Sequence, residues 1–358
     1  DSLRILGLGG SGALHIEYAD RTSEDITLSM GGTIDVYTLD ISSEKVIKSI
    51  TLPENSNMKI LAMTLVVNQF VEMSRAERVM IEKDTLPMGA WPYTWKRPDH
   101  PIYGSVVGDM DRAASHVTTE QFMGMGLNSP IFFEPHNTYD EGLMSGPMAN
   151  SLWGLAGGVI AAGPSEEEWA NDYLKEDQKA HEDTLYFATI GDEEWYSDSL
   201  VDGINEWFNL TRNKHPDVLV STNQYGGQWS ESQLRYYIRT AHPDILTVDN
   251  YYYEGYSDWG ATSSAMRQTG LMRKLAMEGW DGTGREPIAF GQHVTVAHNN
   301  STFFSESTTS AAPFITVAMG GKWINVFTLY TPDGLDNSYF NDDGTPNELY
   351  GFGAETFT

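Results

Sequence analysis

From Leu86 onward the chain repeats one unit: a short run that is apolar at nearly every residue, a polar loop, and then a stretch with apolar residues at helical spacing. The runs are Met88 to Trp91, Pro130 to Phe133, Gly158 to Ala162, Leu185 to Ile190, Val218 to Thr222, Ile245 to Val248, Pro287 to Phe290 and Trp323 to Leu329, eight in all. A strand apolar throughout has no face to give to water, so it belongs in a parallel sheet covered on both sides. Between the runs, Ile204, Trp207, Phe208 and Thr211, and then Leu234, Tyr237, Ile238 and Ala241, recur at the helical period. His215-Pro216-Asp217, His242-Pro243-Asp244 and Gly320-Gly321 are the stops that end such helices. Eight units favour closure over an open sheet, and the expectation is an α/β fold, a (β/α)8 TIM barrel over residues 86–358. Thr356-Phe357-Thr358 falls inside an expected helix, so the barrel is expected to be cut at its last helix.

Residues 1–85 have a different texture: Leu3 to Leu6, Ala13 to Tyr18, Asp25 to Met30, Thr33 to Leu39, Val46 to Leu52 and Lys59 to Val66 are short β-like runs between polar turns. The first clear amphipathic helix is Val71 to Ile81. A small all-β, sandwich-like module is expected in front of the barrel. Gly7, Gly9 and Gly12 match the spacing of a dinucleotide-binding fingerprint, but Ala13 to Tyr18 soon gives way to Asp20-Arg-Thr-Ser-Glu24, where that motif needs a helix. A glycine-rich turn is expected instead. No cofactor is implied.

The charge balance narrows the partners. With 50 acidic against 22 basic side chains the net charge is −28, which argues against nucleic acid and anionic membrane surfaces and weighs against anionic polymers. No apolar run is long enough to span a bilayer, so no membrane insertion is expected. The absence of cysteine excludes disulfides, thiol nucleophiles and cysteine metal sites. The chain begins at Asp1 with no signal-like apolar segment, as in a processed or trimmed product, and further domains or assembly partners are expected beyond it.

In a barrel the chemistry sits where strands end and the following loops begin. Those positions hold Trp91 and Trp95 after strand one; Glu134 and His136 after strand two; Asp192, Glu193 and Trp195 after strand four. Strand five leads to Asn223 and Tyr225, strand six to Asp249, Tyr251, Tyr252 and Trp259, strand seven to Gln292 and His293, and strand eight to Tyr330. Five of the ten tryptophans (91, 95, 195, 229 and 259) fall in these loops rather than on helix faces. Indoles beside carboxylates and amides suit sugars, whose rings offer apolar C–H faces and a rim of hydroxyls. Any one of these tryptophans can equally anchor its loop.

Tyr186-Phe-Ala-Thr-Ile-Gly-Asp-Glu-Glu-Trp195 resembles the strand-four "Gly-Asp-Glu" signature of clan-A-like barrel glycoside hydrolases, the group of β-galactosidases and "Gly-Asp-Glu-Pro" glycosidases. Asp249-Asn-Tyr-Tyr252, Phe290-Gly-Gln292 and Gly320-Gly-Lys-Trp-Ile-Asn-Val-Phe327 are similar to their strands six, seven and eight, and Asp342 to Tyr350 to the segment before their last helix. The resemblance implies a glycoside hydrolase acting on a poly- or oligosaccharide, extracellular or secreted, with Glu193 as general acid/base and Asp192 orienting it. Two positions depart from the pattern: Glu194 stands in place of proline, and Gln292 in place of the strand-seven glutamate nucleophile. An amide cannot form the glycosyl ester. The second carboxylate is then Asp249, or Glu134 or Glu254, or else the substrate's own acetamido group attacks; otherwise the site binds glycans without cutting them. The leader loosely resembles surface and phage-virion modules, so the alternative is a non-catalytic glycan-binding or structural module of a cell surface or virion.

Other chemistries lack their spacing. His100, His136, His181, His293 and His298 show no His-x-His or His-x-x-x-His pattern, so no metal site is expected. The run Asn341 to Gly344 does not complete a calcium loop, and no Gly-x-Ser-x-Gly elbow follows a strand. His136 and His293 are expected to hydrogen-bond sugar hydroxyls.

Overall fold

The computed structural model describes residues 2–18, 21–42, 47–66, 75–82, 87–90, 117–133, 139–157, 163–249, 258–294, 306–327, 329, 339–340 and 345–357. The chain forms two compact units, Asp1–Glu72 and Met73–Thr358. The boundary expected after residue 85 leaves the linking helix with the leader, whereas the structure groups it with the barrel, against which it packs.

The first unit is built from six strands: β1 Ser2–Leu8, β2 Ser11–Tyr18, β3 Ser23–Ser29, β4 Asp35–Asp40, β5 Ile47–Thr51 and β6 Lys59–Val66. They form two antiparallel three-stranded sheets, β4-β1-β6 and β3-β2-β5. Alternation puts Leu3 and Ile5 of one sheet and Leu14, Ile16 and Tyr18 of the other into a shared core with Leu28 and Met30. The Gly7-to-Gly12 motif is the corner between the sheets. Gly9 and Gly10 adopt φ of 72° and 82°, a region open to glycine, and the chain leaves them as a strand rather than a helix.

The second unit opens with helix α1, Arg75–Glu82, and continues with β7 Met88–Ala90, α2 Thr119–Gly124, β8 Ser129–Phe133 and β9 Trp153–Ala156. Helices α3 Glu166–Asn171 and α4 Glu176–Lys179 precede β10 Leu185–Asp192; then come α5 Asp198–Lys214, β11 Leu219–Tyr225, α6 Glu231–Ala241 and β12 Ile245–Asp249. The chain finishes with α7 Asp258–Glu278, β13 Ala289–Val294, α8 Glu306–Ala318, β14 Trp323–Val326 and α9 Glu348–Phe357. The eight strands β7 to β14 close into one parallel barrel, as the alternation of elements requires.

Strand three departs from expectation. It is Trp153–Ala156 rather than 158–162, and residues 158–162 lie outside the described ones. Its alternation explains the choice: Trp153 and Leu155 pack under the helices, while Gly154 and Ala156 leave room inside the barrel. A Cβ on Gly154 would come within 3.0 Å of Ile131 Cγ1.

The N-terminal end of the barrel is sealed. Ala76, Val79 and Met80 of α1, at i, i+3 and i+4, share a buried cluster with Phe187, Leu219, Ile245, Ala289 and Trp323 from the barrel interior. Arg75 pins the helix by pairing with fully buried Asp244 at 2.5 Å and donating to Val218 O at 2.9 Å; Arg212 meets the same carboxylate at 3.3 Å. Breaking such a buried pair costs about 3–5 kcal/mol, because the remaining charge is left in the interior.

Candidate functional site

Toward the strands' C-terminal ends the inward face turns polar. Thr189, Asn223, Asp249, His293 and Asn325 are all buried, at 0–4% exposure. Register sets them in one arc of wall: Asp192 lies opposite Asn223, Asp249 opposite His293, and His293 opposite Asn325.

The strand-four motif ends this arc. A register shift between Thr189 and Asp192 accompanies Gly191 at φ 83° and Glu193 at φ 53°. The left-handed region costs a non-glycine residue about 1–2 kcal/mol, so the turn must be held by its surroundings. Glu193 N donates to Asn223 O at 3.0 Å, and Gln228 Nε2 donates to Glu193 O at 2.6 Å and Glu194 O at 3.1 Å. Trp229 Nε1 donates to Glu194 O at 2.9 Å, and its ring, packed edge-on against Tyr196 and Tyr237, is buried. Trp229 is therefore a loop anchor rather than a sugar platform.

The strained turn brings three carboxyls together. Burial pushes half-buried Asp192 up to about 6, against the pull of Asn223 Nδ2, which donates to its Oδ1 at 2.9 Å; the charges of Glu193 and Glu194 add to the rise. Asp249, only 2% exposed, is raised well above the usual carboxylate range. Burial is the largest cause, followed by a hydrogen bond to the Glu193 carboxyl and then by the charges of Glu193 and Asp192. Like charge so near disfavours ionisation of the buried carboxyl, which adds to the effect of burial on Asp249. Glu193 itself is exposed, at the open end of the pair.

His293 is held neutral: burial drives it down to about 3. Asn325 Nδ2 donates to its Nδ1 at 3.0 Å, leaving the ring proton on Nε2. Asn325, fully buried on the strand-eight run, is the site residue that the sequence reading passed over. Its signal was a lone amide within Trp323–Val326.

Gln292 is elsewhere. It lies opposite Val248 on the outward face of β13, 1% exposed, and its Oε1 accepts from Thr269 and Thr316 at 3.2 and 3.1 Å, on α7 and α8. The expectation that it meets substrate is corrected by register: neighbouring residues of a strand face opposite sides, so the inward residue here is His293. Trp195 is 80% exposed on the loop after β10, and Tyr225 is 40% exposed at the end of β11, at the rim rather than the floor. Trp91, Trp95, Glu134, His136, Tyr251, Tyr252, Glu254 and Tyr330 lie outside the described residues, as does the side chain of Trp259, which starts α7. Among the described residues no group of three or more His, Asp or Glu is arranged to hold a metal ion, and no helix is long and apolar enough to cross a membrane.

No protein-family model matches the chain, and no curated protein is similar to it in sequence. Solved structures similar to it include glycoside hydrolases. A β-glucuronidase from an uncultured Clostridium sp. is 10% identical with a TM-score of 0.43, covering 100% of this chain and 63% of the other. An endo-β-1,4-mannanase from Thermotoga petrophila is 10% identical with a TM-score of 0.45, covering 76% and 77%. An FMN-binding β-glucuronidase from Faecalibacterium prausnitzii is 9% identical with a TM-score of 0.48, covering 99% and 61%. The chain thus spans less than two thirds of either glucuronidase.

Proposed function

We propose that this chain is a glycoside hydrolase of poly- or oligosaccharides, with Glu193 as its general acid/base. One observation carries the reading: an exposed Glu193, at the C-terminal mouth of a closed barrel, shares a hydrogen bond with a buried Asp249 whose proton affinity is raised. Cleaving a glycosidic bond requires a carboxyl that still carries a proton near neutral pH, and burial beside Glu193 raises Asp249 in that direction.

The pair also supports a role for Asp249. Carboxyls that flank a scissile bond stand about 5–5.5 Å apart in retaining enzymes and about 6.5–9.5 Å in inverting ones. Burial and the neighbouring Glu193 carboxyl raise Asp249, which suits it as the proton partner of Glu193. It becomes a nucleophile or base only if the pair parts around an entering ring. Otherwise the attack comes from Glu134, from Glu254 or from the substrate's own acetamido group, and Asp192 orients Glu193.

The test is a glycan panel scored for released product. Wild-type chain should release sugar, and Glu193→Gln should lose about 10²–10⁴-fold in rate, the usual worth of a positioned acid. Full activity in that variant would falsify the assignment. A second reading, a glycan-binding module without turnover, is favoured by His293, which occupies the inward position at the end of strand seven where a nucleophile is needed. Binding without product from the wild-type chain would establish it.

A further inference from the structure

We infer that the floor of the barrel mouth is a subsite for an uncharged sugar ring, read through its hydroxyl donors, and that it excludes uronate and sulfated rings. This deepens the glycan-site reading and rests on it.

The floor is rich in acceptors, with the Thr189 hydroxyl able to donate or accept. Asn223 Oδ1, Asp249 Oδ1, Asn325 Oδ1 and Thr189 Oγ1 are buried and have no hydrogen-bond partner among the described residues. The amide donors beside them are already committed, Asn223 Nδ2 to Asp192 and Asn325 Nδ2 to His293. Oxygens buried without donors are costly to the fold, and native proteins keep such groups where a ligand completes them. A sugar face of hydroxyls supplies O–H donors at that density, and a site that must receive hydrogen bonds discriminates strongly against rings that lack them.

The electrostatics point the same way. The charges acting most strongly on Asp192 and Asp249 are other carboxylates, those of Glu193, Glu194 and Asp192 itself. His293 cannot offset them, because it stays neutral. Arg75 and Arg212 are tied to Asp244, the residue before β12, and so belong to the opposite end of the barrel. A carboxylate or sulfate on the ring would therefore meet like charge in a poorly screened site.

The experiment titrates the whole chain carrying Glu193→Gln, so that nothing is cut, with neutral oligosaccharides (gluco-, manno-, galacto- and xylo-configured) and with oligoglucuronates, oligogalacturonates and sulfated galactans. Calorimetry should detect the neutral set only, with at least tenfold preference over any anionic oligomer, and Asn223→Leu should weaken neutral binding at least tenfold. Circular dichroism checks that this variant folds, and the probe series itself needs no floor variant. Equal or tighter binding of an anionic oligomer overturns the inference while leaving the glycan site standing. If no oligosaccharide of either set binds, the glycan-site reading falls and takes the inference with it.

Discussion

The two ends of the barrel interior are made from the same strands and follow opposite rules. At the N-terminal end Phe187, Leu219, Ile245, Ala289 and Trp323 interlock with the apolar face of α1, and the interior is close-packed hydrocarbon. A few residues further along, β10 offers Thr189 and Asp192, β11 Asn223, β12 Asp249, β13 His293 and β14 Asn325. Several of their polar atoms are buried without partners. One end stores the stability that the other spends. The split lets a strained turn and desolvated carboxyls persist, since the cluster beneath holds the strands whatever the mouth requires.

The comparison breaks most plainly if the apolar end proves dispensable. Phe187 is fully buried, with its ring centroid 5.0 Å from that of Trp323, and Phe187→Ala should cost about 3–5 kcal/mol in urea unfolding. Glycan affinity of the folded fraction should be unchanged; a loss of affinity without a loss of stability would reverse the roles of the two ends.

At the polar end, removing a charge should stabilise. Asp192 is raised from 3.8 to about 6 when folded, so the native state binds its proton more tightly than the unfolded chain does. That costs nothing while both states are protonated. The penalty grows as pH rises through this window, reaching about 3 kcal/mol above it. Asp192→Asn, whose amide oxygen still accepts from Asn223, should therefore gain about that much at pH 8 and much less at pH 4.5, in paired urea titrations. An equal gain at both values would remove desolvation as the cause.

Smaller effects separate strain from chemistry. Glu193→Gly relieves a φ of 53° and should gain about 1 kcal/mol in thermal unfolding while abolishing product release. If stability falls instead, the turn is held by the side chain and not imposed by its neighbours. Trp195, 80% exposed, should be worth less than about 0.5 kcal/mol to the fold, so Trp195→Ala is expected to leave the melting temperature in place and to weaken glycan binding in the calorimeter.

The sequence by itself determined the architecture. Apolar runs alternating with helical periodicity leave few ways to cover both faces of a sheet, and the six leader strands and seven of the eight barrel strands follow from patterning that is local to each element. It also placed Asp192, Glu193 and Asp249 at strand ends, because polar residues that close an apolar run are visible in one dimension.

Which side of the wall each of these residues faces was decided by the tertiary structure. Side chains alternate along a strand, so a shift of one residue exchanges inside for outside. Of the two strand-seven candidates, Gln292 lies under the helices and His293 holds the inward position, as does Asn325 on strand eight. Strand three was sought at 158–162 because several apolar residues in a row read alike. Only packing, with Trp153 outward and Gly154 inward, selects Trp153–Ala156. The contact between Glu193 and Asp249 likewise joins residues 56 positions apart, through a register shift that no local pattern announces.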